Sequence, residues 1–168
     1  MRIRMTVIVA LLAGLVAALS AQNKPDFSGT WTPADSVSSP VPPPPPQTPG
    51  GPPAPPPPPR TLSLSITQSA TEMKVERRVE VAGREEIYPF IYKLDGSETL
   101  NQMGVLAFRA KASWDAESLV VSSAVSAEGN AVGTMKDIYR LENGELIVDN
   151  TRTAPVGVFT SRTVYTRQ

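Results

Sequence analysis

From Arg60 onward the chain alternates apolar and polar residues with a period of two. Leu62, Leu64 and Ile66 alternate with Ser63, Ser65 and Thr67; Met73, Val75, Val79 and Val81 alternate with Lys74, Glu76, Arg78 and Glu80. Leu106, Phe108, Ala110, Ala112 and Trp114 alternate with Ala107, Arg109, Lys111 and Ser113, and Leu119, Val121 and Val125 face one way along the next run. Successive side chains of a strand point to opposite faces, so each run predicts a half-buried strand. No segment past residue 60 keeps helical spacing for three turns.

Turn signals separate these runs: Gly83, Asp95-Gly96, Trp114-Asp115-Ala116-Glu117, Glu128-Gly129-Asn130 and Asn143-Gly144. Asn143-Gly144 is the strongest, because a type I′ hairpin needs positive φ at both central residues, and Asp95-Gly96 predicts a second turn of the same kind. Strands are expected near 61–68, 72–81, 86–94, 98–102, 105–114, 118–127, 131–142, 145–152 and 157–167. Tight turns between consecutive strands make an antiparallel up-and-down meander. A meander of this many strands curls to remove its sticky edges. The expected fold class is therefore all-β, a closed barrel or a strongly curved sheet.

The first sixty residues follow other rules. A thirteen-residue apolar run, Val7 to Leu19, lies behind Arg2 and Arg4 and ahead of small residues ending at Ala21. This predicts a signal peptide over residues 1–21, since the run is short of the roughly 20 residues that span a bilayer. Residues 22–32 carry a first strand. Residues 33–60 hold fifteen of the chain's 18 prolines, which excludes helix and central strand there because each ring removes an N–H and fixes φ. That stretch predicts a polyproline II loop or linker inserted after the first strand, with residues 61–168 forming the barrel domain. Weak protein contacts through Pro42–Pro59 are one use of such a loop; a stiff spacer is the other.

Composition narrows the chemistry. The chain has no Cys and no His. It therefore lacks disulfides, a thiolate nucleophile, imidazole metal ligands and the Ser–His and Cys–His pairs of nucleophilic catalysis. Loss of Arg2 and Arg4 with the signal takes the basic residues from 16 to 14 against 16 acidic ones. Such a balance, free of charge runs, has no electrostatic footprint for nucleic acid. The acidic pairs Glu85-Glu86, Asp115/Glu117 and Glu142/Glu145 fall at or near turns, where acids are ordinarily solvated, and neither a phosphate loop nor a metal-binding repeat of acids is present. No catalytic residue, metal site or cofactor is expected, and the chain reads as a non-enzyme.

Phe27-Ser28-Gly29-Thr30-Trp31 ahead of a β-meander ending in Val164-Tyr165-Thr166-Arg167 resembles small secreted bacterial lipocalin-like proteins of the calycin type. The Gly29-x-Trp31 spacing is similar to the G-x-W of that wider group. The resemblance implies a barrel whose first-strand Trp31 closes one end beneath an Arg of the last strand, Arg162 or Arg167. It also implies a secreted or periplasmic location and a barrel interior that holds a small ligand.

Six residues are candidates for that interior. Tyr88, Phe90 and Tyr92 form the richest aromatic cluster and, with Phe108, line or fill the inside. Arg77 interrupts the apolar series of Met73, Val75, Val79 and Val81. It requires a carboxylate, a ligand anion or water, unless a bulge at Arg77-Arg78 turns both side chains outward. Asp137, among Met135, Tyr139 and Leu141, is the candidate partner. Pro89 marks an edge or a bulge within its strand. Two functions compete: binding of a small, mostly apolar or anionic-ended molecule, and a structural or envelope-interaction role with the interior packed solid.

Overall fold

A computed structural model describes residues 24–34, 60–81 and 83–168. The predicted signal peptide and most of the proline-rich stretch lie outside the described residues. Ten strands follow in order: β1 (Gly29–Pro33), β2 (Arg60–Gln68), β3 (Glu72–Val81), β4 (Arg84–Lys93), β5 (Thr99–Met103), β6 (Leu106–Asp115), β7 (Ser118–Ala127), β8 (Asn130–Glu142), β9 (Glu145–Ala154) and β10 (Gly157–Arg167). They form one sheet in the order β4-β3-β2-β1-β10-β9-β8-β7-β6-β5, with every neighbour antiparallel. The meander thus curls until its first strand pairs with its last, giving a nearly closed barrel. The predicted strands match within about two residues at nearly every end.

Two turns show how the local chemistry works. Asn143 and Gly144 both have positive φ, 54° and 84°, as the type I′ hairpin between β8 and β9 demands. Asp95-Gly96 does not close a hairpin. Only Gly96 has positive φ there, and the Asp95 carboxylate accepts the backbone N–H and hydroxyl of Ser97 at 2.9 and 2.6 Å. This Asx turn opens the connection into a loop, and β4 and β5 are left as the two edges of the sheet.

A side chain bridges that seam. Asn101 Oδ1 accepts from Ile91 N–H at 2.7 Å, Asn101 Nδ2 donates to Ile91 C=O at 3.1 Å, and the Thr99 hydroxyl donates to the same carbonyl at 2.7 Å. The buried Asn101 amide takes the place of one rung of ladder. Alternation along β4 turns Pro89 toward the same free edge as Ile91, so its missing N–H leaves no rung broken. Asn101→Ala should cost about 1–3 kcal/mol, since two bonds to one residue are lost together. Chemical denaturation measures it, with faster hydrogen exchange at Ile91; an unchanged midpoint would show that the seam needs no bridge.

The N-terminal segment closes one end of the barrel. Phe27, fully buried, stacks on Trp114 at 5.9 Å between ring centres and packs against Tyr139. Its carbonyl accepts from Trp31 Nε1 at 2.8 Å. Gln68 ties the segment down, accepting from Phe27 N–H and donating to Pro25 C=O. Of the two candidate arginines, Arg167 is the cover: its guanidinium lies 4.8 Å over the Trp31 ring and donates to Ser28 C=O at 2.8 Å. Arg162 points outward and pairs with Glu142 and Asp149.

Burial falls along the barrel axis. Near the closed end Met73, Val75, Leu119, Tyr139 and Leu146 are fully buried. Toward the end carrying the β3–β4, β5–β6, β7–β8 and β9–β10 turns, the inward-facing Tyr88, Met103, Leu106, Val125 and Met135 are only half-buried. Inward-facing Phe159 and Arg152 there are exposed. Among the described residues, the far end is where the inward-facing side chains are least covered.

Candidate functional site

The middle of the barrel is occupied by a polar network. Arg77 follows the alternation of β3 and faces inward, opposite Leu64 on β2 and Tyr88 on β4. The bulge expected at Arg77-Arg78 is not there: β3 pairs with β4 without a break, and the irregularity lies on β2, where the ladder skips Leu62. The extra residue therefore bends β2 and increases the local twist there, while Arg77 keeps its inward place on β3. Its Nη2 donates to Asp137 Oδ2 at 3.0 Å and to the Tyr139 hydroxyl at 2.9 Å. The guanidinium lies 4.9 Å over the Phe90 ring. Asp137 takes its second bond from Asn150 Nδ2 at 2.6 Å.

Burial works against the Arg77 charge, but the oxygens of Tyr139, Tyr92 and Asp137 outweigh it and hold the guanidinium above its already high range. Burial also pushes the Tyr92, Tyr139 and Tyr165 phenols up, so all three stay neutral at ordinary pH. The arrangement is an internal ion pair with satisfied carboxylate oxygens. Phe90 and Tyr92, each 1 % exposed, fill the space beside it.

Unfilled space lies elsewhere on the same inner face. An apolar cleft of about 110 Å³ at the far end is lined by Met103, Leu106, Phe108, Val125, Val132 and Met135, with Arg152 and Thr153 of β9 at its rim. Gly133 shapes it. The β7–β8 register shifts beside this residue, its φ is +150°, and a Cβ there would stand 2.0 Å from the Thr153 carbonyl oxygen. Only glycine lets the two backbones approach so closely. A second hollow of about 330 Å³ lies at the closed end, among Lys24, Asp26, Gln68, Ser69, Ala70, Leu94 and Trp114. Its mixed lining, with the Lys24 ammonium 5.2 Å over Trp114, is less suited to an apolar guest.

Of the six sequence candidates, the structure brings Arg77, Phe90, Tyr92 and Asp137 together in the packed middle. Tyr88 is half-buried, with its hydroxyl on Glu86. Phe108 alone belongs to both regions, its ring edge-on to Phe90 at 5.5 Å and its other side on the cleft. Of the other cleft residues, the sequence put Leu106, Val125 and Met135 on apolar strand faces without marking them as a site, and Met103 and Arg152 were missed. For Arg152 the signal was present: continuing the β9 alternation from Leu146 and Val148 puts Asn150 and Arg152 on the inner face. Among the described residues, no group of three or more acids is placed to hold a metal.

No known family profile matches the chain, and no curated protein does. Among solved structures, it is similar to the apo form of lipid binding protein 8 from Caenorhabditis elegans, at 10 % identity and a TM-score of 0.49, over 63 % of this chain and 70 % of that one. It is also similar to a secretory abundant heat soluble protein from Ramazzottius varieornatus, at 15 % identity and a TM-score of 0.48, over the same shares of the two chains.

Proposed function

We propose that this chain is an exported, non-enzymatic binding module that holds a small, mostly apolar molecule at the far end of its barrel. The observation that carries the reading is the Phe108-floored cleft. Its side walls are apolar, its rim is polar, and among the described residues it lies at the end where the inward-facing side chains are least covered. Ligand sites are concave and mostly apolar, with a few placed polar groups. Met103 and Met135 suit such a wall because their unbranched side chains adapt to the guest.

Native mass spectrometry of protein purified from its own source tests the reading. A co-purifying small molecule is expected, and it should disappear on Phe108→Trp, which fills the cleft. Because extra bulk beside Phe90 costs about 1–3 kcal/mol in a packed site, Val132→Phe at the half-exposed rim serves as a second filling variant. Protein that carries no molecule, and whose cleft accepts no apolar probe, would leave the solid-core envelope role instead. The Arg77–Asp137 pair and the packed middle of the barrel are the observations on that side.

A further inference from the structure

A barrel that held an anionic ligand by Arg77 would leave that charge in need of a partner. Here Asp137 already supplies one, and Tyr139 takes the same nitrogen, so the central cation is neutralised from within. Arg152 differs. It lies two residues beyond Asn150 on β9, faces the same interior, and stands opposite Met135 on β8 and Phe159 on β10. None of the ion pairs among the described residues involves it. Glu86, an inward acid of the same end, has its carboxylate on the Tyr88 hydroxyl.

We infer that the cleft takes a short-chain anionic amphiphile, with its alkyl end against Phe108, Leu106 and Met135 and its anionic head on Arg152. This rests on the binding reading above and names the class of ligand for that site. Size sets the tail. A hollow of about 110 Å³ is smaller than the ~150 Å³ cavity that accepts a benzene ring, so the buried part is about four carbons rather than a long acyl chain. Geometry sets the head: a guanidinium offers two parallel N–H donors, which match a carboxylate or a phosphate monoester. Exposure sets the strength. Arg152 is in contact with solvent, so its contribution is modest and salt-sensitive.

The test is a methyl-detected NMR titration of the mature chain with pentanoate, butyl phosphate, 1-pentanol and pentylamine. The shifted methyls should be those of Leu106, Val125, Val132 and Met135. At low salt the better of the two anions should bind about threefold to fivefold more tightly than 1-pentanol, and pentylamine more weakly than either. The stronger anion tells a carboxylate head from a phosphate one. Arg152→Gln should abolish the preference while leaving 1-pentanol binding intact, Arg152→Lys should restore much of it, and roughly 0.5 M salt should flatten it. An anion preference unchanged in Arg152→Gln, or equal binding of pentanoate, butyl phosphate and pentanol, overturns the head-group assignment alone. If neither the anions nor pentanol move the cleft methyls, the binding reading itself fails.

Discussion

Replacing Asp137 by alanine should destabilise the protein by about 3–5 kcal/mol, the cost of leaving a buried guanidinium without its counter-charge. Asp137 is 1 % exposed, and the Arg77 side chain is 19 % exposed. Among the described residues nothing replaces the carboxylate: Asn150 would lose its acceptor, and the Arg77 Nε is already buried without a partner. Arg77→Met combined with Asp137→Leu should recover most of the loss, because an apolar pair of similar volume removes the desolvation penalty together with the attraction. The Tyr139 hydroxyl then loses its bond from Arg77, so recovery stops short by roughly 1–3 kcal/mol. Chemical denaturation of Asp137→Ala and of the four species of the cycle (parent, Arg77→Met, Asp137→Leu and the double variant) measures both effects. A double variant as unstable as the two single changes added together would show that the network, not its charge balance, holds the middle of the barrel.

Trp31→Ala should cost a similar amount, about 3–5 kcal/mol, for a different reason. Trp31 is 1 % exposed, and its ring is fastened on two sides by the Phe27 carbonyl and the Arg167 guanidinium. It also lies on the short strand that joins the two halves of the barrel. β1 pairs with β2 through Gly29–Trp31 and with β10 through Trp31–Pro33, so Trp31 is the residue common to both ladders. Truncating it removes the packing that holds this splice, and the loss should appear as a lowered denaturation midpoint together with faster exchange in β10 near Tyr165. A melting curve unaltered by the substitution would mean that the first strand is dispensable.

Much of this was legible in the chain itself. Period-two alternation sets which face each side chain takes, and that is a local property of the backbone. It placed nine strands, put Tyr88, Phe90, Tyr92 and Phe108 on one candidate inner face, and offered Asp137 as the candidate partner of Arg77, with an outward bulge at Arg77-Arg78 as the alternative. Turn chemistry was equally local at Asn143-Gly144, where two residues with positive φ are enough. The plug was implied only by the resemblance that Gly29-x-Trp31 carries; the structure adds that glycine leaves room for Arg167 to lie across Trp31, since a Cβ at Gly29 would stand 3.2 Å from Arg167 Nε.

The rest was decided by pairing between distant strands. Alternation says inward or outward but not how far along the barrel axis a residue sits, because that height comes from the stagger accumulated over ten strands. Phe90 and Tyr92 therefore ended in the packed middle, while Met135 and Arg152, equally inward, ended at the less covered end beside the Gly133 bulge. The same limit hid the seam at Asp95-Gly96: its side-chain turn is local, but the Asn101 bridge to Ile91 forms only when the curled sheet brings its two edges together. Sequence determined the faces of the strands; tertiary structure decided which inner faces met other side chains and which met empty space, since only the closed barrel sets the distance between them.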